Sequence, residues 1–229
     1  MNSDNSKRPV QDSIDWSLVE KFHPGIAAEE QRTKFRIFFA AAKLFSIKGY
    51  NGTAVREIVE AAGVTKPALY YYFSNKEDLF VQLIDMALAT FAELLHRSLA
   101  WQGSPRERLV NFFSEVLSLF ENNIDLIRLV NIMIYAPKGA VPPYDLKRRH
   151  DGFHSAMREL LLPQNGESLR VGGEELETAL LLLIGLFRSL QIHLVIPDVG
   201  APLSLDQITR GIDVVLAMVG MTGPEVREG

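Results

Sequence analysis

The residues best suited to hydrogen-bonding chemistry lie together in one stretch, residues 53–76. Lysine and tyrosine side chains are concentrated there, at Lys66, Tyr70, Tyr71, Tyr72 and Lys76. Ammonium and phenol groups donate hydrogen bonds to anionic oxygens, and a helix face that carries both suits phosphates and base edges. We therefore expect this stretch to form a nucleic-acid-binding surface.

Two short helices joined by a tight turn are expected to position these side chains. Thr53 is predicted to cap the first helix, its hydroxyl accepting an amide hydrogen of the first turn. Gly63 stands where a left-handed residue would end that helix. Between them the apolar residues recur at helical spacing, at Val55, Ile58, Val59 and Ala62.

The second helix is predicted to begin after Thr65, whose hydroxyl would cap it. Pro67 is tolerated there because the first turn has no amide hydrogen bond to lose. Leu69 and Phe73 are four residues apart and are expected to face one core, which turns Pro67 and Tyr71 away from it.

A third helix, Gln31–Gly49, precedes this pair. It carries an aromatic seam at helical spacing, formed by Phe35, Phe38, Phe39, Ala42 and Phe45. Gly49 is its expected end, and Asn51-Gly52 makes the turn into the next helix. Three helices within about fifty residues have the size of a minimal helix-turn-helix domain, which we place at residues 30–76.

The segment AAAKLFSIKGYNGTAVREIVEAAGVTKPALYYYFSNKEDLF, about a fifth of the chain, resembles the tetracycline-repressor (TetR) family of bacterial transcription regulators. The aromatic helix, Gly-Tyr, capping Thr, Ala-Gly-Val and Leu-Tyr-Tyr-Tyr-Phe follow one another in the family's spacing. The resemblance implies an all-α fold: an N-terminal three-helix helix-turn-helix head, followed by a larger helical ligand-binding and dimerisation domain.

The resemblance also implies DNA contacts for eight residues: Thr53, Thr65, Lys66, Pro67, Tyr70, Tyr71, Tyr72 and Lys76. Thr53 and Lys76 would hold phosphates, and the others would reach base edges or the backbone from the recognition helix. Tyr72 departs from the family pattern, which commonly has a histidine there, although a phenol still donates to a phosphate. The alternatives are core packing for Tyr72, simple solvation for Lys76, and capping alone for Thr53 and Thr65.

The distribution of charge supports a DNA-binding head. The chain has a net charge of −4, but residues 31–76 contain eight Lys and Arg against two Glu, a net +6. The remaining residues carry 16 basic and 26 acidic side chains, a net −10. A basic head on an acidic body is the electrostatic pattern of a protein that binds DNA through the head.

Other classes of function find no support in the composition. The chain has no cysteine, so disulfides, thiolate metal sites and a cysteine nucleophile are excluded. No arrangement of nucleophile, base and acid or phosphate-binding loop is present, and we expect neither an enzyme nor a cofactor. His150, Asp151 and His154 lack the further ligands that a metal site needs.

Residues 1–30 lack the apolar region of a signal peptide. The most apolar run, Ala179–Phe187, is too short to span a bilayer. These two observations predict a cytoplasmic protein with no membrane partner.

The rest of the chain shows a helical pattern with no strand period. We expect residues 1–29 to form a tail, with a short docking helix at Asp15–Phe22 as one possibility, and residues 77–229 to form the effector-binding and dimerisation domain. Its predicted helices are Lys76–Trp101, one that starts at Ser104-Pro105, Ile124–Tyr135, Tyr144–Leu162, Glu174–Val195 and Leu205–Met221, with a loop at Gln164–Gly173.

The last two helices are apolar on most of their sides. Leu176, Leu180, Leu183, Phe187 and Leu190 make one face of the first, and Leu181, Leu182, Ile184 and Leu186 widen it. Such helices are buried on most sides, which favours a two-fold interface between two copies of the chain. The alternative is a core within a single chain.

Aromatic and methionine side chains of the body would line an effector pocket, with a few polar groups that orient the ligand. The candidates are Phe112, Phe113, Asn131, Met133, Tyr135, Phe153, His154, Met157, Phe187 and Gln191. Plain core packing is the alternative for each of them. The expected effector is a small, largely apolar or aromatic molecule.

These features together predict a homodimer whose recognition helices enter successive major grooves of a palindromic operator, about 34 Å apart. Binding would block transcription, and the effector would favour a state with the wrong head spacing and release the DNA. Activation by the same DNA-binding mode is one alternative. The other is a helical ligand-binding protein whose head serves protein interaction.

Overall fold

The computed structural model describes residues 29–145, 147–164, 172–196, 200–201 and 203–221. The secondary structure of this part of the chain is entirely helical, as predicted. The predicted tail up to residue 28, its Asp15–Phe22 helix and most of the loop Gln164–Gly173 lie outside the described residues. The helices are α1 Glu29–Gly52, α2 Val55–Ala62, α3 Lys66–Tyr72, α4 Lys76–Ala100, α5 Pro105–Asn122, α6 Ile124–Tyr135, α7 Lys147–Leu161, α8 Gly173–Val195 and α9 Leu205–Met218.

Most helix ends agree with the predicted ones to within one or two residues. Gly49 interrupts α1 with a φ of 72°, a conformation that favours glycine, so the expected break is present although the helix resumes for a few residues. Ser104 and Glu107 form the predicted capping box at the start of α5. Two predictions were too long: α7 begins at Lys147 rather than Tyr144, and α9 ends at Met218 rather than Met221.

The chain forms two compact units. Unit 1 comprises the described residues up to Thr90 together with Asp125–Tyr144, and unit 2 comprises Phe91–Ile124 and the described residues from Asp145 onward. The helix α4 contributes residues to both units, and α6 belongs with the head. These units divide the chain at other positions than the domains expected from sequence, which had their boundary at residues 76 and 77.

The core of unit 1 is built on the aromatic seam of α1. The Phe38 ring lies 5.2 Å from that of Phe73, and the Phe45 ring 5.5 Å from that of Phe80, measured between ring centroids. Leu69 and Phe73 are buried, as their spacing predicted. This packing attaches the short helices α2 and α3 to α1, because helices of seven and eight residues are not stable alone.

In unit 2, α5 packs against α7, α8 and α9, and α8 packs against α7 and α9. The face of α8 expected to be buried is buried: Leu176, Leu180, Leu183, Phe187 and Leu190. The bidentate pair of Arg106 with Asp213, at 2.6 and 3.0 Å, joins α5 to α9.

Two helices, α4 and α8, are long and apolar enough to cross a membrane when judged by length and composition alone. The run Ala179–Phe187, expected to be too short for this, belongs to a helix of 23 residues, so length does not argue against a span. Part of each apolar stretch is buried in the structure, 44% of it in α4 and 33% in α8.

Candidate nucleic-acid interface

The helix α3 presents the predicted polar tip. The Thr65 hydroxyl accepts a hydrogen bond from the Ala68 amide at 3.3 Å, and Pro67 lies in the first turn. Leu69 anchors the helix in the core, while Tyr70 and Tyr71 expose 43% and 73% of their surface. The expected division between an anchoring face and a projecting face is therefore confirmed.

A left-handed glycine sets the angle between α2 and α3. Gly63 has φ 64° and ψ 37°, where a side chain would be strained. Its amide donates to the Glu60 carbonyl oxygen at 3.2 Å, and the Val64 amide donates to that of Val59 at 3.0 Å. This Schellman-like end closes α2 as predicted.

Thr53 does not cap α2, so that prediction was wrong. The residue before the helix is Ala54, and the Thr53 side chain is 98% buried, with 2% exposed. Its hydroxyl donates to the Gly49 carbonyl oxygen at 2.9 Å, with the Leu44 carbonyl oxygen at 3.3 Å. Thr53 therefore satisfies carbonyls at the end of α1, because the chain turns back on that helix at Gly49.

A carboxylate, rather than the Thr53 hydroxyl, bonds the backbone amide at the N-terminus of α2. Glu57 accepts a hydrogen bond from the Ala54 amide at 2.8 Å, and the Lys48 ammonium bonds the same carboxylate. The hydrogen bond from Lys48, and then the one from the Ala54 amide, lower the pKa of Glu57. A negative charge at this position also suits the positive end of a helix.

The Lys76 ammonium bonds to the protein itself. It donates to the Tyr50 carbonyl oxygen at 2.9 Å and to the Thr53 carbonyl oxygen at 3.1 Å, and it lies 4.3 Å from the centre of the Tyr50 ring. These contacts attach the start of α4 to the turn between α1 and α2. Two of the three N–H donors of the Lys76 ammonium are thus used within the protein, and a phosphate contact by Lys76 would use the third.

The three tyrosines occupy different surroundings. The Tyr71 and Tyr72 rings meet edge to face, 5.0 Å between centroids, and Tyr72 also lies 6.2 Å from Phe73. Tyr72 is half-buried. The Lys66 ammonium lies 5.8 Å from the Tyr70 ring. The projecting surface is thus made by Lys66, Tyr70 and Tyr71, with Tyr72 at its edge.

One residue of this region was missed from the sequence. Arg56, the second residue of α2, has a side chain that is 86% exposed, and its nearest acid is Glu60 at 3.6 Å on the same helix. It was counted only in the charge of the head. The sequence signal that could have identified Arg56 was its position in the first turn of α2, close in sequence to Thr53, a predicted DNA contact.

Seven of the ten candidate effector residues lie in unit 2. The ring of Phe187 is 4.9 Å from that of Phe153 and 6.4 Å from that of Phe112, and Phe112 and Phe113 pack edge to face at 5.4 Å. Phe91, which was not among the candidates, lies within 6.0 Å of three of these rings. Phe112, Phe113 and Met157 have no exposed surface, so the cluster is closely packed in this state.

The polar candidates of unit 2 border this cluster. Gln191 is buried and accepts a hydrogen bond from Arg188 at 3.0 Å. The His154 ring lies 4.3 Å from that of His150, and burial, followed by the nearby His150, lowers the pKa of His154. No group of three or more metal-binding side chains occurs in the part of the chain that the structure describes.

The other three candidates, on α6, lie in unit 1. Met133 is buried, Tyr135 is exposed, and the Asn131 amide donates to the Ile127 carbonyl oxygen of its own helix at 2.9 Å. Sequence periodicity had grouped them with the body because they share its composition.

Comparison with known proteins agrees with the geometry of the head. Residues 37–83 match the family described as bacterial regulatory proteins, tetR family. Over 90 residues the chain is 36% identical to the HTH-type transcriptional regulator AcrR of Shigella flexneri, which covers 39% of this chain and 42% of that protein. The chain spans about half the length of the curated relatives it matches. These relatives are named as regulators, in agreement with the expectation that the chain is not an enzyme.

Two solved structures extend the similarity over the whole fold. FadR from Bacillus subtilis, solved with stearoyl-CoA, has a TM-score of 0.58 at 21% identity, over 82% of this chain and 99% of that chain. AibR, solved with isovaleryl coenzyme A and operator DNA, has a TM-score of 0.55 at 23% identity, over 83% and 97%. The head residues 37–83 thus match the tetR family of bacterial regulatory proteins, and the helical fold of the chain is shared with these solved structures.

Proposed function

We propose that the protein is a sequence-specific DNA-binding transcriptional regulator, and that it acts as a repressor on a palindromic operator. The observation that carries the proposal is α3, a capped helix that buries Leu69 and projects Tyr70 and Tyr71. A helix held in this way by a helix-turn-helix head fits the major groove. Protein interaction through the head, the alternative, leaves the concentration of positive charge there unexplained.

The basic side chains of the head support contacts to phosphates. Lys66 is exposed on α3 and Arg56 on α2, and residues 31–76 carry a net +6 within an acidic chain. Phosphate contacts fix the register of a protein on the duplex, while base contacts supply specificity. We assign the tyrosines, Thr65 and Pro67 to the recognition surface, and access to chromosomal DNA implies a cytoplasmic protein.

A homodimer is proposed from the surfaces of α8 and α9. Large apolar side chains on them remain exposed in the single chain: Leu181, Leu182, Ile192, Ile196, Val214 and Met218. Such a patch marks an interaction surface, and a second copy of the chain supplies the same helices for a four-helix interface. Gly185 lies within this face and has open space around it, which permits close approach of a partner helix.

The effector is proposed to be a small, largely apolar molecule received by unit 2. FadR and AibR, which share the fold, were solved with acyl-CoA molecules, so acyl-CoA thioesters are the first class to test. The packed state of the phenylalanine cluster implies that a ligand would have to move these rings in order to enter. A ligand that binds more tightly to the state with displaced phenylalanine rings would shift the population away from the DNA-binding state.

The first test is fluorescence anisotropy of the purified protein with its own upstream DNA and with scrambled DNA, over a salt series. A regulator of this kind would prefer the upstream fragment and lose affinity steeply with salt. If neither fragment binds, a selection from random DNA follows, and failure to select any motif would refute the proposal. Addition of long-chain and short-chain acyl-CoA to the complex then tests the effector class.

Substitution of Tyr71 tests the recognition surface. We expect Tyr71→Ala to weaken binding to the selected DNA by about fivefold or more, because a good base contact contributes about 1–3 kcal/mol, with the helical circular dichroism unchanged. Tyr135→Ala is the matched control, since Tyr135 is equally exposed but lies on α6. Loss of helical signal in Tyr71→Ala would instead place Tyr71 in the core.

A further inference from the structure

The N-terminus of α2 already holds an anion supplied by the protein. The Glu57 carboxylate takes one hydrogen bond from the Ala54 amide and one from the Lys48 ammonium. Lys48 comes from the end of α1, nine residues away in sequence, so the pair joins the two helices. The same carboxylate therefore satisfies the helix end and neutralises one of the eight basic residues of the head.

This ion pair lies where the head would meet the DNA backbone. In helix-turn-helix proteins the first helix of the motif crosses the backbone, and α2 is that helix. The two carbonyl groups that hold Lys76 belong to Tyr50 and Thr53, immediately before Ala54. Thr53, where the resemblance predicts a phosphate contact, directly precedes Ala54, whose amide bonds the Glu57 carboxylate.

We propose, on the basis of the proposed function, that the Lys48–Glu57 pair restrains sequence-independent binding to DNA phosphates. While the pair is closed, the Lys48 ammonium is held by a carboxylate, and a phosphate that approaches the α2 N-terminus meets a negative charge. The pair lowers affinity for all DNA by a similar amount. Discrimination is then carried by the base contacts of α3.

Charge and exposure support this role. The side chains of Lys48 and Glu57 are 44% and 30% exposed, so the pair is open to solvent and to a phosphate. A glutamate carboxylate is ionised at neutral pH, and the hydrogen bonds from Lys48 and the Ala54 amide lower the pKa of Glu57 further. Binding to a polyanion depends on the number of phosphates that cations neutralise, and an internal acid reduces that number by one.

Glu57→Gln tests the proposal, because the glutamine oxygen can still accept the Ala54 amide while the negative charge is lost. We expect affinity for scrambled DNA, measured by anisotropy, to rise about fivefold, the effect of one exposed charge contact. The slope of log K against log salt becomes steeper by about one. Glu93→Gln is the control: it removes the same charge from an exposed site on α4, away from the proposed DNA surface, and we expect its slope to stay unchanged.

Lys48→Gln, made both in the unaltered protein and in the Glu57→Gln variant, tests whether Lys48 is the cation that Glu57 keeps from the DNA. In the unaltered protein it leaves the salt slope unchanged, because Lys48 is held by Glu57, and in Glu57→Gln it lowers the slope by about one. A Lys48→Gln variant that already lowers the slope in the unaltered protein would overturn the proposal. So would a Glu57→Gln variant that behaves like Glu93→Gln.

The outcomes also separate this proposal from the proposed function. If the unaltered protein binds no DNA at any salt concentration and no motif can be selected, DNA binding itself is refuted. If it binds and the variants behave as just described, both stand. Circular dichroism checks that each variant is folded, and Glu57→Ser, which also offers a neutral acceptor, replaces Glu57→Gln if the latter loses helical signal.

Discussion

At the scale of single residues, two side chains chosen for their hydrogen-bonding groups use those groups inside the protein. The Thr53 hydroxyl and the Lys76 ammonium both bond to backbone carbonyl oxygens around the turn between α1 and α2. The type of a residue determines what it is able to bond, while its surroundings determine what it does bond. Lys76 is therefore expected to affect stability as well as DNA binding.

We expect Lys76→Ala to lower the free energy of unfolding by about 1–3 kcal/mol, because hydrogen bonds from a charged group to carbonyl oxygens are lost. Urea unfolding followed by circular dichroism measures this change. Lys66→Ala is the control, since Lys66 is exposed on α3 and such a change usually stays within about 0.5 kcal/mol. Equal stability of the two variants would show that the contacts of Lys76 contribute nothing.

At the scale of helices, carboxylates in three first turns contribute to stability. Glu57 serves α2, Asp78 accepts from the Ser74 amide at 2.7 Å ahead of α4, and Glu107 completes the capping box of α5. Hydrogen bonds lower the pKa of each: chiefly from Lys48 for Glu57, from Gln82 for Asp78 and from the Ser104 amide for Glu107. Each carboxylate favours the folded state when it is ionised.

The pH dependence follows from these lowered pKa values. The contribution of the three carboxylates is fully present above their unfolded pKa values of about 4, and it is lost as the pH falls through the lower folded pKa values. We expect the urea concentration at the unfolding midpoint to decrease as the pH is lowered below about 4. In Glu107→Gln this decrease should be smaller. Glu93→Gln, an exposed site on α4, is the control. A midpoint that stays constant in acid would contradict the prediction.

The C-terminus of α7 is held by a buried arginine. Arg108 of α5 is 1% exposed and donates to the carbonyl oxygens of Glu159, in the last turn of α7, and Leu162, just after it. The Glu159 carbonyl oxygen also accepts from the Leu162 amide at 3.2 Å. Burial lowers the pKa of Arg108, but a guanidinium stays charged at any pH where proteins are studied. Periodicity alone did not distinguish Arg108 from a solvated residue.

We expect Arg108→Met to lower the free energy of unfolding by about 2 kcal/mol, because the Leu162 carbonyl oxygen loses the guanidinium donor while the methionine fills the space. Chemical denaturation measures the loss. Arg210→Met removes an exposed arginine that pairs with Asp206 on the same helix, and we expect it to be nearly neutral. A neutral Arg108→Met would mean that water replaces the guanidinium.

At the scale of the whole molecule, the exposed apolar residues of α8 and α9 predict assembly. We expect Val214→Arg to give a monomer in sedimentation equilibrium, because Val214 is 62% exposed within that surface and a buried charge without a partner is strongly unfavourable. Affinity for a palindrome would fall with it, since one head reaches one half-site. Ile47→Arg, an equally exposed site on α1, is the control, and a dimer that survives Val214→Arg would refute the interface.

The sequence by itself determined the features that depend on near neighbours. Helix ends at Gly63, Thr65 and Ser104 follow from side chains that bond the backbone two or three residues away, or from a backbone angle that glycine tolerates. Periodicity determined that Leu69 and Phe73 face inward while Tyr71 faces outward. The all-helical fold class and the basic charge of the head could be predicted for the same reason, because both depend on local sequence and composition.

Only the tertiary structure decided the contacts between distant parts of the chain. In the tertiary structure, the Lys76 ammonium bonds the turn at Tyr50, and the Arg108 guanidinium bonds the carbonyl oxygen that follows α7. The tertiary structure also placed the candidate effector residues of α6 in a different unit from the phenylalanine cluster. These partners are up to 54 residues apart in sequence, and a donor selects among all acceptors within about 3 Å in space, which neither spacing nor composition specifies.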